Sequence, residues 1–368
     1  MPMKIASFNV ENLFSRSSAF LDSSGKKANP EVLATYGELT ELLAESSYEG
    51  HEERILELFD KLGLKHVDEN KVAVLRMERG HLLKRHKDDT VEVIAKGRGD
   101  WIGWVDLKRT MVSSKATENT ASVIAEVRPD VIAMVEVEDR MTLTRFDKYV
   151  LKKVTGHEND PLRFAHVMLI DGNDERGIDV GVMARADFPL RKIRSHVDDE
   201  EDGLQIFSRD CAEYEVPTPD GGSLLLMVNH FKSKRGGSGD DKRERQAKRV
   251  AAIYNERRQE GVERIVVAGD LNDTPEGKPL QPLFAETDLK DAGDHDGFDW
   301  GTRKGTYQDG QRIDYLLLSP ALSDAFAKGG IDRRGIWRPS EPDGMLPTLK
   351  AEEEAASDHA AIWVELNV

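Results

Sequence analysis

Short apolar runs recur along this 368-residue chain, and each stops at a turn signal or a polar pair. Eight stand out: MKIASFNV (3–10), VIAMVEV (131–137), RFAHVMLI (163–170), DVGVMAR (179–185), SLLLMVNHF (223–231), RIVVAGD (264–270), RIDYLLLS (312–319) and AAIWVEL (360–366). Runs of this length suit strands better than helices. Between them, ENTASVIAEVR (118–128) sets Ala121, Ile124 and Ala125 on one helical face. RERQAKRVAAIYNERRQE (243–260) does the same with Ala247, Val250, Ala251 and Tyr254. Strands interleaved with amphipathic helices predict an α/β or α+β class, with helices packed outside sheets.

Residues 17–117 interrupt this pattern. PEVLATYGELTELLA carries Val32, Leu33, Tyr36, Leu39, Leu42 and Leu43 at helical spacing, and HEERILELFDKLGL repeats the idea with Ile55, Leu56, Phe59 and Leu62. KVAVLRM and TVEVIAKGRGDWIGWVDL then read as strands. No Pro/Gly/Ser-rich linker brackets the stretch, so it reads as an inserted subdomain within one domain spanning 1–368. Trp101 and Trp104 are expected as packing anchors rather than a base-stacking platform.

Charge narrows the partners. The chain has 52 Lys and Arg against 68 Asp and Glu, a net charge of −16. That balance disfavours wholesale wrapping of nucleic acid, which draws affinity from many phosphate contacts. It permits a local basic groove, and it leaves carboxylates to spare for magnesium, manganese or calcium. The single Cys211 forms no internal disulfide and no thiolate metal site. No apolar run approaches the roughly 20 residues that span a bilayer. The start, MPMKIASFNVENLF, lacks the pattern of a secretion leader, so a cytoplasmic location is expected.

The ends of the runs carry the chemistry. FNVEN offers Asn9 and Glu11, MVEVED offers Glu136 and Glu138, and VNHFKSK offers Asn229 and His230. GDLN offers Asp270 and Asn272, RIDY offers Asp314, and SDHAAI offers Ser357, Asp358 and His359. Singly, each is an ordinary turn former. Repeated at six places, they predict one shared polar site. Alternation points Glu138 to the same face as Glu136, farther out. In the loop 232–249, Lys232, Lys234 and Arg235 are placed to touch phosphates, and the residues beyond read equally as a solvated charged face.

In order and spacing these segments resemble the endonuclease/exonuclease/phosphatase superfamily, which includes deoxyribonuclease I, abasic-site endonucleases, sphingomyelinases and inositol polyphosphate 5-phosphatases. The resemblance runs from about residue 3 to 366, with 17–117 an insertion after the first strand. It implies a deoxyribonuclease I-like, four-layer sandwich of two mixed β-sheets flanked by helices. It also implies metal-assisted attack of water on a phosphate ester, with Mg2+, Mn2+ or Ca2+ as cofactor. Glu136 matches the principal metal carboxylate, Asn9 and Glu11 the first-strand residues near it, and Asp358 an acid beside the metal. Asp270 matches the acid that orients or deprotonates water, and Asn272 the amide that holds a phosphate oxygen. His359 matches the site histidine oriented by Asp314. His230 matches a histidine of the deoxyribonuclease I branch that contacts phosphate or serves as acid near the leaving group. ERGIDVGVMAR resembles a stretch in bacterial members, which makes Arg176 a candidate for substrate contact.

The chemistry agrees. A phosphodiester is an anion, so attack requires charge neutralisation, which a hard cation held by carboxylates supplies. A protonated histidine beside an Asp adds a second donor. Whether Asp270 or His359 takes the proton of water is open at this stage. Three functions compete: a nuclease acting on DNA first and RNA second, a phosphatase or small-molecule phosphodiesterase of the same fold, and a non-catalytic scaffold.

Overall fold

The computed structural model describes residues 2–17, 30–155, 163–174, 176–234, 239–341 and 344–368. It divides into two compact units. The first combines Met1–Phe14, Val112–Lys232 and Asp240–Val368, and the second combines Ser15–Met111 and Ser233–Gly239.

The two large sheets belong to the first unit. Their strands, in chain order, begin with β1 (Met3–Asn9), β2 (Val131–Val137), β3 (His166–Ile170), β4 (Asp179–Ala184) and β5 (Lys192–Arg194). They continue with β6 (Cys211–Pro217), β7 (Ser223–His230), β8 (Ile265–Asp270) and β9 (Lys290–Asp291). The last are β10 (Phe298–Asp299), β11 (Asp314–Leu318), β12 (Phe326–Asp332) and β13 (Ala361–Leu366). One sheet has the order β10-β12-β13-β1-β2-β4-β3 and the other β5-β6-β7-β8-β11-β9. Both are mixed: β1 runs parallel to β2 and antiparallel to β13, while β7 runs parallel to β8 and β8 antiparallel to β11.

Alternation along each strand builds four layers. Ile5, Val131, Ala133, Val135, Val180 and Val182 of one sheet pack against Tyr214, Leu226, Val228, Val266, Ala268 and Leu316 of the other. Each such Val, Leu or Ile, fully buried, contributes about 1.5–3 kcal/mol. The opposite face of the first sheet, with Phe8, Ile132 and Met134, is covered by Ala121, Val123 and Ile124 of α1 (Ser114–Val127). Helix α1 starts where Ser113 Oγ accepts from Ala116 N at 3.1 Å, and it stops at Arg128 in the left-handed region. The outer face of the second sheet, with Leu225, Met227, Ile265 and Val267, is covered by Ala247, Val250, Ala251 and Tyr254 of α2 (Asp240–Gln259). This is the helix–sheet–sheet–helix sandwich that the sequence implied.

Strands β6 and β12 were not among the sequence expectations. Strand β6 carries the period-2 signal all the same, with Ala212, Tyr214 and Val216 inward and Glu213 and Glu215 between them. Cys211 is buried.

The second unit has its own core. Helices Pro30–Leu43 and Glu52–Lys61 pack Tyr36, Leu39, Ile55, Leu58 and Phe59 against Leu75, Trp101 and Val105. Its strands pair Ala73–Arg79 with Ile102–Leu107, Leu83–Arg85 with Val91–Val93, and Ser15–Ser17 with Arg109–Met111. No described helix is long and apolar enough to cross a membrane.

Candidate active site

The alternation that fills the inter-sheet core also delivers the polar residues to its edge. Along β7, Leu224, Leu226 and Val228 face the core and His230 follows on the same side. Along β8, Val266 and Ala268 lead to Asp270, and along β11, Leu318 and Leu316 lead back to Asp314. Along β1, Met3 and Ile5 lead through Ser7 to Asn9. The register puts His230 opposite Asp270, and Asp270 opposite Asp314. Residues far apart in sequence therefore share one end of one face.

Glu136 reaches the site by another route. The pairing of β2 with β4 slips between Asp179 and Val180: Val137 pairs with Asp179 and Val135 with Val180, leaving Glu136 as the extra residue of a bulge. Its φ is +58°, a conformation that non-glycine residues adopt rarely and at a cost of about 1–3 kcal/mol. The slip also puts Val137 with Ile132 and Met134 on the helix-covered side. Glu138 consequently does not extend the line of Glu136, as plain alternation predicted. Its carboxylate instead accepts from Leu13 N at 3.2 Å and Phe14 N at 2.7 Å, fixing the turn after β1. Glu11, Asn12 and Asn272 likewise have positive φ, so strand-end backbone strain gathers around this edge.

Gly269 answers why an apolar strand breaks on a glycine before Asp270. Its φ is +130°, and a Cβ there would stand 1.9 Å from Asn229 O. Only glycine lets β8 lie this close to β7.

Asp270 is the hub. Its Oδ2 accepts from Asn9 Nδ2 at 3.2 Å and Asn272 Nδ2 at 3.1 Å, and its Oδ1 accepts from Asn272 N at 2.8 Å. His359 Nε2 is 3.8 Å from Asp270 Oδ2, and His359 Nδ1 pairs with Asp314 Oδ2 at 2.8 Å. Ser357 Oγ accepts from His359 N at 2.9 Å and donates to Asn9 O at 2.7 Å, which ties the histidine loop to β1. The Tyr307 ring lies 4.9 Å from that of His359. Asp358 is buried, with Oδ1 3.8 Å from His359 Nε2.

His230 Nε2 stands 3.6 Å from both Glu136 Oε1 and Asp270 Oδ2. Behind it lies a residue that the sequence reading missed. Arg209, only 1% exposed, donates from Nε to His230 Nδ1 at 3.0 Å and from Nη2 to Phe231 O at 3.1 Å. Its Nη1 pairs with Asp174 Oδ2 at 3.3 Å, and Asp174 in turn takes the Arg176 fork at 2.8 and 2.6 Å. Arg176 thus spends its fork on Asp174. The available signal for Arg209 was its place in SRDCAEYEV, immediately before an alternating strand.

Not every candidate joins this group. Asn229 has the parity of Leu225 and Met227, so it faces the α2 side, paired in register with Cys211, and its Nδ2 donates to Met227 O at 3.1 Å. Alternation along β7 can send His230 or Asn229 to the site, but not both. Lys232 fixes backbone: its N donates to Gln246 Oε1 at 2.8 Å and its O accepts from Arg243 Nη1 at 3.0 Å. Lys234 belongs to the second unit, and Arg235 lies outside the described residues. Glu11 N donates to Asn9 Oδ1 at 3.1 Å, which orients the Asn9 amide toward Asp270.

Burial sets the electrostatics. It pushes Asp270 up to about 7, with His359 acting against the rise and Asp314 with it. Burial pushes Glu136 up, and Asp358 pushes it further. Burial alone would lower His359, but Asp314 and Asp270 more than offset it and hold the imidazole well above its ordinary value. His230 is driven well below its ordinary value, by burial first and then by Arg209 and Arg176. For Asp174, burial is outweighed by Arg176 and Arg209, and the carboxyl stays ionised. The same site thus drives its two histidines in opposite directions.

The residues present suit a hard divalent cation. Glu136 is half-buried and Asp358 buried, the charge of Asp358 disfavours the charged form of Glu136, and bound positive charge would relieve that cost. Asp270, Asp314 and His359 also offer ligand atoms within 4.8 Å of one another.

The model of the Endonuclease/Exonuclease/phosphatase family matches residues 100–299, a stretch that includes Glu136, His230, Asp270 and Asn272. No curated protein matches the chain. Among solved structures, an endonuclease/exonuclease/phosphatase family protein from Bacteroides thetaiotaomicron is 15% identical, with a TM-score of 0.49 over 68% of this chain and 89% of that one. A mannosyl-6-phosphatase of the same organism is 16% identical, with a TM-score of 0.48 over 68% and 91%. Truncated Caenorhabditis elegans TDP2 is 19% identical, with a TM-score of 0.47 over 69% and 91%. With more than half of its residues matched by the family model, the chain belongs to the endonuclease/exonuclease/phosphatase family.

Proposed function

We propose that this chain is a divalent-metal-dependent phosphodiesterase, a nuclease with DNA as its foremost substrate and RNA as a second. The observation that carries the reading is the convergence of Asn9, His230, Asp270 and His359 beside Glu136 at one edge of the inter-sheet core.

Each residue has work it can perform there. Asn9 and Asn272 hold Asp270, whose raised pKa suits it to accept a proton from water near neutral pH. Asp314 keeps His359 protonated, so its Nε2–H can donate to a phosphoryl oxygen as negative charge grows. Glu136 and Asp358, with Glu11 near Asn9, would hold magnesium in the first instance. When bound, such an ion would supply positive charge to offset that of the ester and its phosphoryl oxygens. His230, with both ring nitrogens facing Arg209 and driven away from its charged form, sets the position of that guanidinium beside the site.

A phosphatase or small-ester reading has one observation in its favour, the net charge of −16, since a small substrate needs no broad basic track. A substrate panel with and without magnesium decides between them: supercoiled plasmid, single-stranded DNA, RNA, bis(p-nitrophenyl) phosphate and inositol polyphosphates. A nuclease cleaves the polymers at a rate that falls steeply with salt. Cleavage of small esters alone, insensitive to salt, would replace this reading with the second, and no turnover of any ester would end both.

A further inference from the structure

The charge of the chain is unevenly placed. Residues 61–109 carry twelve Lys and Arg against eight Asp and Glu, a basic excess inside a chain of net charge −16. This stretch holds most of the strands of the second unit.

Strands Ala73–Arg79 and Ile102–Leu107 pair antiparallel, with Arg76 opposite Trp104 and Arg79 opposite Ile102. The inner face buries Ala73, Leu75 and Val105 on Trp101, which is 1% exposed and donates from Nε1 to Tyr48 Oη at 3.0 Å. Trp101 is therefore the packing anchor that the sequence predicted. Gly103 lies against it, because a Cβ there would come 2.4 Å from the indole ring. Trp104 departs from that prediction. Alternation turns it to the outer face, where it is 40% exposed beside the exposed Ile102.

Trp104 is also held in place. Asp106 accepts from Trp104 Nε1 at 2.7 Å and from Arg76 Nε at 3.1 Å, fixing an indole and a guanidinium side by side on one carboxylate. Arg79 stands exposed on the same face. An ordered exposed indole is a stacking surface for an unpaired base, and cations beside it suit the phosphates of the same strand. A duplex keeps its bases stacked on one another.

We propose that this face of the second unit binds single-stranded nucleic acid, with Trp104 stacking on a base and Arg76 and Arg79 contacting phosphates. The inference deepens the nuclease reading above and takes its choice of polymer from it.

Fluorescence anisotropy of a labelled single-stranded DNA of about 15 nucleotides, titrated with the full chain in EDTA across a salt series, tests it. Trp104→Ala is expected to weaken binding about ten-fold, and Trp104→Phe to restore most of the loss. The double variant Arg76→Gln/Arg79→Gln is expected to lower the slope of log affinity against log salt by about 1.4. Thermal melts show whether each variant is folded, and if Trp104→Ala is not, the arginine pair and Trp104→Phe decide. Unchanged affinity and slope, or a duplex that competes as well as single strands, would overturn the proposal. The readout needs no hydrolysis. A chain that binds through Trp104 yet cleaves no ester refutes the nuclease reading alone. One that cleaves DNA but binds it indifferently to these variants refutes this inference alone.

Discussion

Asn9 and Asp270 join the two sheets at the site: the Asn9 amide donates to Asp270 Oδ2 at 3.2 Å across 261 positions of sequence. Each terminates the inward face of its own strand, so the contact exists only if both strands hold their registers. The Asp270 carboxyl is correspondingly sensitive to any slip of either sheet.

Replacing Asp270 separates chemistry from stability. Asp270→Asn is expected to lower kcat by about 10²–10⁴-fold through loss of a proton acceptor. The melting temperature should not fall, because burial disfavours the charge that the amide lacks. Turnover of bis(p-nitrophenyl) phosphate and a thermal melt check the pair of outcomes, and undiminished kcat would remove Asp270 from the mechanism.

The His359–Asp314 pair sets an alkaline limit. If the active form carries a protonated His359, turnover holds below its folded pKa and is lost as pH rises through it. That pKa lies well above the ordinary value, so the wild-type loss lies on the alkaline side. Asp314→Asn removes the leading group that raises it, and the limb should move to lower pH by about one to three pH units. A kcat profile across pH is the measurement, and a limb that stays in place would contradict the assignment.

Arg209 should matter to stability as well as to the site. Arg209→Met removes one of the two cations at Asp174 and the donor to His230 Nδ1 and Phe231 O, and is expected to cost about 1–3 kcal/mol. Adding Asp174→Asn should give a loss that differs from the sum of the single losses by about 0.5–3 kcal/mol, since both residues share one network with Arg176. Urea denaturation of the single and double variants tests the coupling. Strict additivity would show that the two residues are independent.

These predictions also mark what a single sequence can reveal. Asn9, Asp270, Asp314 and His359 were legible because each ends or adjoins an alternating run, and alternation carries side-chain direction. Strand β8, expected over 264–270, is observed over Ile265–Asp270. Asn229 was misplaced for want of that same parity test, which assigns His230 to the inner face and its neighbour to the outer. Arg209 and Asp174 lie in connections between strands, where no period reports direction, and Glu138 was misjudged because a bulge is invisible to counting by twos.

Gly269→Ala tests the backbone directly. The added methyl meets Asn229 O, and φ of +130° disfavours any side chain, so the variant should lose more than about 1–3 kcal/mol. Because Asp270 follows immediately, turnover should fall with stability. Denaturant unfolding and kcat on the same sample give both numbers, and a variant matching wild type in each would mean that the strands can separate freely there.

The bulge at Glu136 has an evolutionary corollary. The carboxylate owes its direction to one surplus residue in β2, so its location is written in spacing more than in side-chain identity. Point substitution at Val131 to Val135 leaves that phase intact and tunes packing alone. A single-codon deletion in the same stretch would reset the phase and carry the acid away from its partners at one stroke, so this lineage can tolerate drift in composition there far more readily than drift in length.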